Sequence, residues 1–180
     1  LGMASGKTFL PLPDGTRKLE WCHDEHVRGP AKMYSRACFE AIGGLEAVRG
    51  WDMIDETRAQ MLGFETWSYP DLALLHHRPI DGRQSHVYRS RFDMGRLYHR
   101  LGYHWLYLCI RSARSALQDY PRGLGGLLLF AGWHWAWLRR EPRRDAEFVV
   151  FVRRKQLDRM SLRQLGEYVR SLRPGARPSG

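Results

Sequence analysis

Around residue 80 the chain changes physical character, and no single layer of secondary structure accommodates both parts. Residues 1–80 carry 9 Lys and Arg against 11 Asp and Glu, whereas residues 81–180 carry 20 against 8. The first part alternates short apolar runs with Pro- and Gly-containing turns, the punctuation of strands and short helices. The second part reads as long helical stretches with few breakers. The sequence therefore predicts an α/β portion over 1–80 and a mostly α-helical, amphipathic, basic tail over 81–180. Hydrophobic residues make up 43% of the chain, which places it among globular rather than disordered proteins.

Within the first part, TFLPLPDGTRKLEW predicts two short strands around a turn at residues 13–16, and HVRGPAKMYS a strand entering a loop at Gly29. Ser35 is the expected N-cap of a short helix over SRACFEAIGG, ended by Gly43 or Gly44. WDMIDETRAQMLG is the next helix, with Gly63 as its stop and Met53, Thr57, Met61 and Leu62 as expected core contacts. FETWSYP and LALLHH read as two strands. In the tail, residues 85–118 predict a helical stretch broken at Gly102, with a further break at 120–123. The apolar helix LGGLLLFAGWHWAWL follows, and then a basic amphipathic helix beginning near Asp145. Cys22, Cys38 and Cys109 are too few and scattered for a disulfide framework, and none has CxxC spacing, so a reducing compartment is the simpler expectation.

The functional expectation rests on GGLEAVRGWDMIDETRAQMLG, Gly43 to Gly63. On a helix starting at Asp52, the carboxylates of Asp52, Asp55 and Glu56 share one face. Three such groups raise one another's pKa unless a cation sits among them. The plain alternative is a charged first turn facing water, where the helix dipole favours acids in any case. Upstream, CHDEH (Cys22 to His26) suggests a metal cluster by composition, but neighbouring residues of an extended strand point in opposite directions, which argues against a common ion.

The wider pattern over residues 24–80 resembles the C-terminal half of the catalytic domain of family 2 glycosyltransferases, which have the GT-A fold. The pieces that carry the resemblance are Arg28-Gly29, the run FEAIGG, Asp52 with Arg58 six residues on, Gly63, and the strand ending His76-His77-Arg78. Trp51 stands where the family usually has Glu. The resemblance implies a partial GT-A fold, the acceptor-side half, in an inverting enzyme that transfers a sugar from a nucleotide-sugar donor to a saccharide or lipid-linked acceptor in surface polysaccharide synthesis. It implies Asp52 as general base, with His26, Arg28, Gly29, Trp51, Asp55, Glu56 and Arg58 lining the donor and acceptor. His76 or His77 is then a metal ligand and Arg78 a phosphate contact. Alternation along a strand lets only one of the two imidazoles reach the site. The Asp-x-Asp motif of the metal-dependent relatives is absent, as is the nucleotide-binding half that carries it. The resemblance therefore assigns the divalent metal (Mg or Mn) to that half, and implies that these residues alone do not turn over.

The tail suggests an anionic membrane surface as partner. The apolar helix is short of the roughly 20 residues that span a bilayer. It carries Trp133, Trp135 and Trp137 and is flanked by arginines, which fits an interfacial or re-entrant segment at the cytoplasmic face of the membrane, peripheral or monotopic. A buried helix packed on the remainder fits the same length. The rival from another class is a non-enzymatic, basic helical adaptor for membrane or nucleic acid. Nucleic acid is the weaker partner, since no recognition motif for it is present. A degenerate transferase-like module that binds a partner is the third alternative.

Overall fold

The computed structural model describes residues 1–12, 14–20, 22–75, 86–118 and 120–160. They form a mixed α/β chain with four strands and six α-helices among the described residues. Two compact units divide between Ser90 and Arg91.

The first unit is organised on β1 (Met3–Pro11). Along one edge β1 pairs antiparallel with β2 (Arg17–Leu19) near its C-terminal end, and with β3 (Met33–Tyr34) near its N-terminal end. The other edge runs parallel to β4 (Thr66–Leu75). The expected pair of strands at 64–77 is thus one strand, and its register shifts between Gly6 and Lys7 so that Pro70, Asp71 and Leu72 bulge. Pro70 supplies no N–H to a ladder, which suits a bulge. A Cβ at Gly6 would lie 2.2 Å from the Leu72 carbonyl oxygen, so only glycine lets the bulge close over β1. The strand expected ahead of Gly29 does not form, since residues 26–28 join no ladder; the loop expected at Gly29 is a 3-10 turn (Gly29–Ala31), followed by the two residues of β3.

Helix α1 (Arg36–Ala41) is capped by the Ser35 hydroxyl, which accepts from the Cys38 N–H at 3.2 Å. Helix α2 (Trp51–Met61) ends before Gly63, whose φ of +82° is the left-handed conformation that a glycine stop supplies. Its buried face is Ile54, Asp55, Glu56 and Ala59; Met53, Thr57 and Met61 are only partly covered and Leu62 is exposed, contrary to the expected core face. The apolar core joins Met3, Val27, Cys38, Ile42 and Ala59, with Tyr34 and Phe64 against it.

The second unit holds α3 (Val87–Arg100), α4 (Trp105–Gln118), α5 (Leu124–Leu138) and α6 (Ala146–Arg159). Gly102, at φ +75°, breaks the long helical stretch between α3 and α4. Helix α6 starts at the Asp145 cap, which accepts from the Phe148 N–H at 2.8 Å. It packs against the α3–α4 turn: the Gln156 amide oxygen accepts from the His104 N–H at 2.8 Å, and the Arg153 Nε donates to the Gly102 carbonyl at 2.9 Å. None of the described helices is long and apolar enough to cross a membrane.

Candidate functional site

Polar residues buried on one face of β1 and β4 gather the site. Ser5 pairs with Ser68 across the ladder, their hydroxyls 3.0 Å apart, and Thr66 and Lys7 lie on the same face. These side chains fasten the loop over residues 22–28. The Thr66 hydroxyl donates to the Glu25 carbonyl and the Ser68 hydroxyl to the His26 carbonyl, both at 2.5 Å. Lys7 Nζ reaches Asp24 at 2.5 Å and the Cys22 carbonyl at 3.4 Å. The Ser68 N–H donates to the Asp24 carbonyl at 2.6 Å. The polar strand positions thus bind a loop where apolar ones would bind a helix.

Helix α2 closes the other side, and its acids take three different roles. Glu56 accepts from the Val27 N–H at 3.0 Å and meets His26 Nδ1 at 2.8 Å, so it staples the loop. Asp55 accepts from Lys32 Nζ at 2.8 Å, from the Tyr34 hydroxyl and from the Glu56 N–H. The Lys32 side chain is 1% exposed and Asp55 3%, so this is a buried, hydrogen-bonded ion pair. Burial, and then the bond to Asp55, push the Tyr34 hydroxyl above its usual pKa and hold it as a neutral donor. Asp52, half-buried, offers its backbone carbonyl to Lys32 Nζ at 2.6 Å. Its carboxylate makes no hydrogen bond or ion pair with any described residue.

Those contacts correct the picture of a solvated acidic turn for Asp55 and Glu56, since both are buried and engaged as structural anchors. Trp51 lies beside Gly29, where an added Cβ would be 3.3 Å from the indole and 3.7 Å from the Asp52 Cβ. Lys32 Nζ sits 5.5 Å from the centre of the Trp51 ring, a cation–π distance. The predicted residues His26, Gly29, Trp51, Asp52, Asp55 and Glu56 therefore come together around the first turn of α2. Arg28 points to Glu20, 2.8 Å away, and Arg58 to Glu46 in the loop ahead of α2, 2.6 Å away; each ties down a neighbouring segment. His76, His77 and Arg78 lie outside the described residues. No group of three His, Cys, Asp or Glu among the described residues is placed to hold a metal ion.

Lys32 and Tyr34, the partners of Asp55, escaped the sequence reading. A signal was present: residues i and i+2 of an extended segment share a face, so a buried partner for one implies the other. Hydrophobicity hid it, because Met33 between them is 57% exposed while Lys32 is buried. No family model, curated protein or solved structure matches the chain.

Proposed function

We propose that the first unit is the acceptor-side half of an inverting family 2 glycosyltransferase, with Asp52 as the general base for a sugar hydroxyl. One observation carries the assignment: of the three acids at the start of α2, Asp55 and Glu56 spend their oxygens on Lys32, Tyr34, His26 and Val27, and among the described residues Asp52 alone keeps its carboxylate unengaged. The spacing of Asp52, Arg58 and Gly63 supports the same reading.

In such a reaction the acceptor hydroxyl attacks the anomeric carbon as its proton passes to the carboxylate. The bond from that carbon to the donor's phosphate oxygen breaks, and a nucleoside diphosphate leaves. A base must be within hydrogen-bond reach of the hydroxyl and free of competing donors, which suits Asp52 and excludes Asp55. Trp51, held by Gly29 and Lys32, presents an indole beside the base, the kind of apolar surface on which a sugar ring packs. The described residues supply no donor set for the Mg or Mn ion that the resemblance implies. The acceptor class is a saccharide or a lipid-linked saccharide.

In the complete gene product, incubated with radiolabelled nucleotide-sugars and membrane extract as acceptor source, Asp52→Asn is expected to lower transfer at least about 100-fold, the lower range for a general base. Donor binding is expected to be retained. Transfer at the unaltered rate, in a protein that keeps its Tm, overturns the assignment.

A further inference from the structure

The pair α4 and α5 has its polarity reversed relative to a helix hairpin in water. The inward positions of α4 include the fully buried Leu108, together with Ser112 and Ser115, buried with hydroxyls that find no partner among the described residues, and Arg111, whose guanidinium donates to the Tyr98 hydroxyl of α3 at 2.8 Å. Its outward positions are Trp105, Leu106, Cys109, Ile110, Ala113 and Leu117, an unbroken apolar stripe, every member exposed. The inward positions of α5 are mostly small: Gly125, Gly126, Gly132 and Ala136, with Leu129 and Trp133. Its outward positions are large and apolar, among them Leu127 at 67% exposure and Trp137 at 57%.

Small residues inside let the backbones approach closely. A Cβ at Gly126 would lie 2.2 Å from the Ser112 carbonyl oxygen of α4, and one at Gly132 would lie 2.0 Å from the Phe92 carbonyl oxygen of α3. Small residues at helix contacts with large apolar ones outside is the distribution of helices whose surroundings are lipid. Both α4 and α5 touch α3 with their inward faces, so both apolar stripes point away from it.

We propose that the outer face of the α4–α5 hairpin is a monotopic anchor, lying in the interface of one leaflet of an anionic bilayer. The helices have 14 and 15 residues, about 21 and 22 Å at 1.5 Å per residue, too short for a hydrocarbon core of about 30 Å and suited to lying along its surface. Charge selects the occupant. Residues 91–180 carry 18 Lys and Arg against 7 Asp and Glu. Exposed Arg122 borders the hairpin at its turn, and exposed Arg139 and Arg140 border it at the end of α5. Arg139 lies 5.6 Å from the Trp135 ring, so an arginine and an indole sit together where headgroups meet acyl chains. A second copy of this chain would bring two arginine rims together, and like charge opposes that contact. The anchor is independent of the glycosyl-transfer assignment.

The test is co-sedimentation of the full chain with sucrose-loaded vesicles of phosphatidylcholine alone or with 30 mol% phosphatidylglycerol (a probe composition of about one anionic lipid in three), at low and high salt. Binding is expected to be at least about 10-fold tighter on the anionic vesicles, with a blue shift of tryptophan emission that survives high salt. A variant carrying Leu127→Ser, Trp135→Ser and Trp137→Ser alters exposed positions only. It is expected to keep the helical circular dichroism and to lose at least about 10-fold in binding, as lost apolar insertion requires. Three results overturn the anchor: no binding by the unaltered chain, equal binding by the folded variant, or a dimer in solution that the same variant dissolves.

Discussion

Replacing Asp55 by Ala would leave the Lys32 ammonium in place with its carboxylate gone. The pair is buried on both sides, with side chains 1% and 3% exposed, so water does not take over the lost contact. Removing one partner of a buried ion pair costs about 3–5 kcal/mol. Lys32 keeps the Asp52 carbonyl at 2.6 Å and the Trp51 ring, which moves the figure towards the lower end. Tyr34 and the Glu56 N–H also lose an acceptor, adding about 1 kcal/mol each at most. The expected cost is about 4 kcal/mol. Lys32→Met leaves Asp55 with its Tyr34 and Glu56 donors and is expected to cost about 3 kcal/mol. The double variant Lys32→Met with Asp55→Leu removes both charges, and its cost should fall short of the sum by about 2–3 kcal/mol, the coupling of groups in contact. Urea unfolding followed by circular dichroism, with equal m-values across the set, reads all three. Asp52→Ala in the same series should stay within about 0.5 kcal/mol, since its carboxylate bonds no described residue. If Asp55→Ala costs under about 1 kcal/mol, or if the two changes simply add, the buried pair is not what holds α2 to β3.

Gly132→Ala places a methyl 2.0 Å from a backbone carbonyl that no rotamer change can move, so α3 and α5 must separate. The cost is expected to be about 3 kcal/mol, a drop of more than about 10 °C in the Tm of the helical unit by calorimetry. The stability of that unit is also expected to fall with acid through His99. Burial, and then the Arg143 guanidinium whose Nε donates to His99 Nε2 at 3.3 Å, lower its pKa from 6.5 to about 4. Between those values the unfolded chain binds a proton that the folded one refuses. Stability therefore rises with pH across that window and is lost as pH falls from about 6.5 towards 4, by at most about 3.5 kcal/mol. His99→Gln should flatten that slope in urea titrations at pH 4.5 and 7; an unchanged slope removes His99 as its source.

The local punctuation was legible because it acts between residues close along the chain. Ser35 caps α1 through an N–H three residues away, and Gly63 and Gly102 take the positive φ that ends a helix. The resemblance groups His26, Gly29, Trp51 and Asp52, but it says nothing of the partners that engage Asp55 and Glu56. Asp55 and Glu56 differ from Asp52 only because Lys32, 23 positions from Asp55, and Val27, 29 positions from Glu56, arrive with their donors. Amino-acid type names a charge; whether that charge is solvated, spent on a lysine or left available depends on segments that meet only on folding. The same holds for the apolar residues. Helical periodicity marks one stripe of α4 as apolar, and hydrophobicity would send it inwards, while α5 is apolar on every side and its sequence pattern names no inward face. Glycines and serines claim the interior instead, because backbones that pack within van der Waals contact leave no room for anything larger.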